Sequence, residues 1–308
     1  MKIVFLDRLT LGNDISLSAF DEFGEVVTYD TTTARQTLKR VKDADIVVTN
    51  KVVIDSNIMD NSNIKLICVA ATGTNNIDLK HAASKKIEVK NVAGYSTPSV
   101  AQLTFSVVLH FMQKLEYYNN YVKEGNWEKS PIFTNLDKPF HELENKKWGI
   151  IGLGDIGKKV ANIANAFGCK VSYYSTSGNN FDTDYIRIGL DELLSTSDII
   201  SIHCPLNETT LNLLNNENLF MLKDKAILIN LARGGIINEQ DLANVIDSKE
   251  LYCGIDVVSK EPIEANSPLR SIKNKQRLLL TPHIGWASVE ARKKLIDGVV
   301  DNIKEFVL

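Results

Sequence analysis

The chain has little cysteine and no charge of one sign to spare. Its four cysteines, Cys68, Cys169, Cys204 and Cys253, lie far apart, each in or beside an apolar run. A redox pair or a zinc site needs close spacings such as Cys-x-x-Cys, so buried, reduced thiols and no metal site are expected. Lys and Arg number 35 against 38 Asp and Glu, a net charge of −3. That balance gives no basic face for nucleic acid and no partner defined by charge. Long apolar runs are missing as well: Phe105 to Met112 is broken by His110, far short of the roughly 20 residues that cross a membrane. The opening "MKIVFLD" reaches an Asp at once and has no signal-peptide cleavage region, so a cytoplasmic protein without a membrane partner is expected. No repeat or low-complexity tract is visible. With 44% hydrophobic and 24% charged residues, the composition is that of an ordinary folded protein.

At 308 residues, two compact units with a cleft between them are the natural expectation. Short β-rich runs alternate with helical patterns throughout, which predicts α/β architecture with parallel sheets covered by helices. One series of strands comprises Lys2–Asp7, Val26–Tyr29, Ile46–Thr49, Leu66–Val69 and Ile87–Asn91; a long helical pattern follows from about Ser99 to Lys123. The second series comprises Trp148–Ile151, Lys170–Tyr174, Ile199–His203, Ala226–Asn230, Gly254–Val258 and Leu278–Thr281. The closing "ASVEARKKLIDGVVDNIKEFVL" reads as an amphipathic helix with Val289, Leu295, Val299, Ile303 and Phe306 near one face. It comes too late for the second sheet and is expected to return to the first. The predicted division is therefore 1–98 plus 286–308 for a discontinuous first domain and 99–285 for the second. Two crossings between them make a hinge over a cleft, a common place for ligands.

After the strand "WGII" comes "GLGDIG", then Ile156, Val160, Ile163, Ala164 and Phe167 at helical spacing, with Gly168 to end the helix. Gly152 permits the turn, Gly154 lets the backbone approach a pyrophosphate and Gly157 lets the helix pack on the strand. The helix N-terminus offers free N–H groups to the phosphates. A dinucleotide site is the reading this context supports.

In a doubly wound sheet ligands lie at the carboxyl ends of the strands, and three polar groups appear there. Arg233 follows "AILIN", Glu261 follows "GIDVV" and His283 follows "LLLTP". Together they supply what reduction of a 2-keto acid needs. The nicotinamide delivers a hydride to the carbonyl carbon while a proton must reach the oxygen, and a histidine is suited to give it. Glu261 would favour and orient the imidazolium. Arg233 can grip a carboxylate in a fork and polarise the carbonyl.

These pieces, with "ATGTNNID" at 71–78, "GYSTPSVAQ" at 94–102, "HCPLNETT" at 203–210, "NLARGGIINE" at 230–239, "GIDVVSKEP" at 254–262 and "TPHIGW" at 281–286, resemble the D-isomer-specific 2-hydroxyacid dehydrogenase family over essentially the whole chain. The subgroup they look most like is that of glycerate dehydrogenases, also called hydroxypyruvate reductases, and the segment 126–143 supports it. The resemblance implies a flavodoxin-like substrate domain and a Rossmann dinucleotide domain, with Arg233, Glu261 and His283 as the catalytic set. It implies cofactor contacts at Gly152, Gly154, Asp155, Ile156, Gly157, Ser175, Thr176, Ser177, His203, Pro205, Thr210, Leu231, Ala232, Arg233, Asp256, His283 and Gly285, Asp256 holding the nicotinamide carboxamide. The substrate, a small acid such as hydroxypyruvate or D-glycerate, glyoxylate or glycolate, is implied to meet Thr72, Gly73, Arg233 and His283. A homodimer is implied too, paired through the cofactor domains by the segment from Ser99 to about Asn126.

One expected residue is missing. The acid that holds the ribose diol of NAD, about 20 residues after the glycines, is replaced at the end of "KVSYY" by Ser175, Thr176 and Ser177. Nothing then repels a 2′-phosphate, yet Gly178, Asn179 and Asn180 follow and bring no arginine. Use of both NAD and NADP is the expectation. Two other readings compete: a non-catalytic NAD(H)-sensing protein of the same fold, which can keep all three catalytic residues, and formate dehydrogenase, which carries Gln where Glu261 stands and which Glu261 therefore argues against.

Overall fold

The computed structural model describes residues 1–308. The chain divides into Met1–Ser96 with Ala287–Leu308, and Thr97–Trp286. The boundaries differ by one or two residues from those expected because a helix beginning at Thr97, not about Ser99, opens the second unit.

The first unit contains β1 (Lys2–Phe5), β2 (Glu25–Thr28), α1 (Ala34–Val41), β3 (Ile46–Thr49), α2 (Ser56–Asp60), β4 (Leu66–Val69), α3 (Leu79–Ser84) and β5 (Glu88–Asn91). Its five strands are parallel in the order β2-β1-β3-β4-β5, which is the flavodoxin-like order. Every residue of the inner strands β3 and β4 is buried, whereas the edge strands β2 and β5 are only partly so. Parallel strands covered on both faces must be apolar on both faces, which is why "IVVT" and "LICV" do not alternate.

The second unit runs α4 (Thr97–Gln113), α5 (Leu115–Lys123), β6 (Lys147–Ile151), α6 (Asp155–Ala166), β7 (Lys170–Tyr174), β8 (Ile186–Arg187), α7 (Leu190–Thr196), β9 (Ile199–Ile202), α8 (Asn216–Leu219), β10 (Ile227–Asn230), α9 (Glu239–Ser248), β11 (Tyr252–Ile255) and β12 (Leu278–Leu280). The strands are parallel in the order β12-β11-β10-β9-β6-β7-β8. The order reverses between β6 and β9, the switch point at which such a sheet opens a crevice. The chain ends with α10 (Val289–Val307), which belongs to the first unit and buries Leu295, Ile296, Val299, Val300 and Ile303.

Four local expectations are corrected. The single helix expected to Lys123 is broken at Lys114, whose φ of 52° lies in the left-handed region and interrupts the helical ladder. The strand expected at Gly254–Val258 sits earlier, at Tyr252–Ile255, because its register with β10 ends at the pair Asn230 and Ile255. Val289, expected on the buried face of the last helix, is exposed at its first turn. The two-residue strand β8 lacks any apolar pattern and was not foreseen.

Candidate active site

The glycine turn follows β6 at the switch point. Gly152 has φ +92°, and a Cβ there would lie 2.7 Å from the backbone N of Cys204, at the end of β9. A Cβ on Gly157 would lie 2.3 Å from the carbonyl oxygen of Gly152, so helix and strand touch at this point. Gly154 faces open space, with nothing within 4 Å of an added Cβ. As the N-cap of α6 it has no side chain to fold back on the first turn, and because Lys158 N already donates to Gly154 O at 2.8 Å, the N–H groups of Asp155, Ile156 and Gly157 are the ones left for an outside anion.

Beside this turn the residue after β9 is unusual. Both ring nitrogens of His203 are buried without a hydrogen-bond partner, and burial pushes the imidazole down to about 3. A neutral ring with an unsatisfied donor is costly to bury, and its place beside the glycine turn fits a site that a polar ligand completes. Open space at Gly154, an uncapped helix end and an orphaned imidazole fit a dinucleotide.

The catalytic candidates stand at the ends of β10, β11 and β12. Asn230, buried at the end of β10, donates from Nδ2 to the carbonyl of Arg233 at 2.8 Å and accepts at Oδ1 from Ala232 N at 3.1 Å. It therefore folds the "LARG" turn that exposes Arg233. The next residue, Gly234, packs so closely on the chain leaving β11 that a Cβ would sit 2.1 Å from the carbonyl carbon and oxygen of Val258. That chain carries Glu261, whose Oε1 accepts from Val258 N at 3.2 Å and whose Oε2 lies 2.7 Å from His283 Nδ1. The pair is partly open to solvent, with side chains 24% exposed for His283 and 32% for Glu261. The contact fixes the ring's orientation and leaves Nε2 as the atom directed away from the carboxylate, the nitrogen from which a proton can be given or taken.

His283 itself is held in a rarely used conformation, φ +54°. Asp256 explains how. Its carboxylate, 3% exposed, accepts at Oδ1 from the Thr281 hydroxyl at 2.6 Å and Ile284 N at 2.8 Å, and at Oδ2 from Gly285 N at 2.8 Å. His283 N donates to the Asp256 carbonyl at 2.9 Å. Asp256 thus clamps the turn on both sides of the histidine. Each carboxylate oxygen ordinarily accepts two hydrogen bonds; Oδ1 of Asp256 has two here and Oδ2 has one.

The sequence signature of the D-isomer specific 2-hydroxyacid dehydrogenase family, in its NAD binding domain, matches residues 105–285. A hydroxypyruvate reductase from Blautia hydrogenotrophica is 40% identical, covering 100% of this chain and 97% of its own. A glycerate dehydrogenase from Methylorubrum extorquens is 35% identical over 99% of this chain and 96% of its own. Among solved structures, D-lactate dehydrogenase from Aquifex aeolicus, complexed with NAD and lactic acid, superposes with a TM-score of 0.84 at 25% identity over 99% of this chain and 95% of that one. The chain belongs to the D-isomer specific 2-hydroxyacid dehydrogenase family.

This dehydrogenase is accordingly a nicotinamide-dependent oxidoreductase that acts on a small 2-keto or 2-hydroxy acid. A dihydronicotinamide, when held at the glycine turn, would supply the hydride. At this site the chain sets out the exposed guanidinium of Arg233 and an imidazole at His283 whose orientation Glu261 fixes, groups whose chemistry suits a growing negative charge and a proton.

The remaining residues expected at the site fall into three groups. Leu231 and Ala232 lie in the turn that Asn230 folds, and Pro205 begins the loop after His203. Thr210 is fully buried, its hydroxyl donating to Pro205 O at 2.7 Å and accepting from Asn207 N at 2.8 Å. These bonds shape the loop that follows His203. In the first unit, Asn91 Nδ2 donates to Thr72 O at 2.5 Å and the Thr72 hydroxyl to Val92 O at 3.2 Å, while no protein acceptor takes the N–H groups of Thr72 and Gly73. Sequence reasoning missed Asn230 and Gly234 as positioning residues, although both stand inside the motif that located Arg233.

Proposed function

We propose that this enzyme reduces hydroxypyruvate to D-glycerate, with glyoxylate as a second substrate, and that it uses NADPH at least as well as NADH. The observation that carries the chemistry is the 2.7 Å contact of Glu261 with His283 next to the turn that presents Arg233. The substrate reading is supported by the full-length relatives, a hydroxypyruvate reductase and a glycerate dehydrogenase. The free N–H groups of Thr72 and Gly73 suit a carboxylate, and the last acceptor position on Asp256 suits the nicotinamide carboxamide. The cofactor reading rests on Ser175, which is buried at the end of β7 where an acid would exclude a 2′-phosphate.

Initial rates on hydroxypyruvate, glyoxylate and pyruvate with both cofactors test this. Hydroxypyruvate is expected to have the highest kcat/KM; a higher value for pyruvate overturns the substrate assignment, and strict NADH dependence overturns the cofactor reading. Ser175→Asp is expected to shift the kcat/KM ratio toward NADH by about tenfold. The same preparation tests the expected homodimer, which is supported by exposed Trp127, Ile132, Phe133, Leu136 and Phe140 between α5 and β6. Sedimentation as a single species of about 34 kDa would refute it.

A further inference from the structure

The turn closing β7 has a positive partner that comes from outside it. Ser175 to Gly178 form a β-turn in which Gly178 N donates to Ser175 O at 3.2 Å and Gly178 takes φ +73°. The Ser175 hydroxyl accepts from Asn180 N at 3.3 Å and that of Ser177 from Asn179 N at 3.2 Å. Each oxygen is thus used as an acceptor and keeps its proton to donate. Asn180 Nδ2 donates to Leu153 O at 2.5 Å, which ties this turn to the glycine loop.

Against the turn lies Arg187 of β8, in register with Tyr173 of β7. Its Nη1 donates to Gly178 O at 2.9 Å, and its guanidinium carbon stands 4.9 Å from the centroid of the exposed Phe181 ring. No carboxylate pairs with it. The nearby Asp182 is taken by Lys158 at 3.0 Å and by Asp184 N at 2.9 Å. Of the five N–H groups of an arginine, four remain. A guanidinium without a counter-ion, resting on an aromatic ring and bonded to the last residue of a turn that carries three hydroxyl side chains, matches the needs of a phosphomonoester dianion.

We propose that Arg187 is the specificity-determining residue that receives the 2′-phosphate of NADPH, with the hydroxyls of the Ser175–Ser177 turn as neutral donors. This rests on the reading that the turn admits such a phosphate, and it goes further, because a dedicated cation makes NADPH the preferred cofactor. A structural strut for the loop is the competing role. The two differ in what they discriminate: a strut serves both cofactors, a phosphate partner only one.

Equilibrium titration by nicotinamide fluorescence separates them, using the whole protein, its Arg187→Gln variant, NADPH and NADH. Displacement by adenosine 2′,5′-bisphosphate and by 5′-AMP repeats the comparison without the nicotinamide. In the unmodified protein NADPH and the bisphosphate are expected to bind more tightly than NADH and 5′-AMP. Arg187→Gln is expected to weaken the two phosphorylated ligands about tenfold relative to the others, with the thermal midpoint confirming an intact fold. Raised salt should reduce the discrimination of the unmodified protein and have less effect on the variant. If the variant weakens all four ligands alike, so that the ratios stay fixed, Arg187 is a strut and the proposal fails while the cofactor reading stands. If the unmodified protein binds NADH but not NADPH, both fail.

Discussion

Replacing Gly234 by Ala tests whether the contact between the "LARGG" turn and the chain after β11 sets the catalytic geometry. The added Cβ would lie 2.1 Å from the carbonyl carbon and oxygen of Val258 and 2.5 Å from Ser259 N, where ordinary contact begins at 3.4 Å. These neighbours are backbone and cannot swing aside, so one segment must retreat by about 1.3 Å, the difference between 3.4 and 2.1. Arg233 is joined to one segment and Glu261, bonded to His283, to the other, so the retreat separates the guanidinium from the proton donor. A misplacement near 1 Å costs about 100-fold in rate, or about 2.7 kcal/mol, and the overpacking itself costs about 1–3 kcal/mol of stability. Steady-state kinetics and thermal unfolding should be measured together, with Gly149→Ala as the control. There the added Cβ would meet side chains, Leu193 Cδ2 and Ser197 Oγ, both at 2.6 Å, so stability falls but kcat/KM stays within about threefold, as expected where the strain falls on α7 and not on the turns that carry Arg233, Glu261 and His283. A Gly234→Ala enzyme within threefold of wild type, or equal losses in both variants, would refute the reasoning.

His283→Ala is expected to lower kcat by at least about 100-fold while fluorescence titration shows NADH still bound, because proton donation acts in the transition state; near-normal turnover would remove the histidine from that role. Arg233→Ala should raise KM for the keto acid as well as lower kcat, and a change confined to the cofactor KM would assign it to cofactor binding alone. Asp256→Asn leaves Gly285 N facing an amide donor in place of Oδ2, which should cost about 1.5–3 kcal/mol and lower kcat by loosening the turn around His283. A weaker NADH affinity with unchanged kcat and unfolding midpoint would show that the carboxylate serves only the carboxamide. The four cysteines are buried and unpaired, and burial pushes the Cys68 thiol up to about 12 and those of Cys169 and Cys204 to about 11. Ellman's reagent at pH 8 should therefore find less than one equivalent before denaturation, against all four afterwards; prompt reaction of the native protein would contradict the packing.

Much of the site was legible because catalysis and cofactor binding draw on short contiguous motifs. "GLGDIG" after an apolar strand specifies a turn whose close contacts, at Gly152 and Gly157, are local consequences of having no Cβ. Arg233, Glu261 and His283 could each be placed at a strand end by counting from the apolar runs. The inner strands were read accurately where all their residues are buried, as at Ile46–Thr49 and Leu66–Val69. Edges were harder. Glu25–Thr28 and Glu88–Asn91 were found within a residue or so because flanking patterns framed them, whereas Ile186–Arg187 escaped because both residues are exposed and periodicity records burial, not pairing.

By itself the sequence determined the two parallel-sheet units, the return of the last helix to the first, the nicotinamide chemistry and the strand ends at which Arg233, Glu261 and His283 stand. Each depends on chain-local facts: apolar period, glycine spacing, and residue type at the end of a strand. Only the tertiary structure decided which groups meet. It joined Glu261 to His283 across 22 residues, committed Asp256 to the turn at Thr281–Gly285, and withdrew the Thr210 side chain into its own loop. It also set Arg187 beside a turn that ends nine residues earlier, at Gly178. A reading along the chain sees no arginine following Ser175, because strand pairing at a sheet edge joins residues by hydrogen-bond register, which sequence proximity does not reveal.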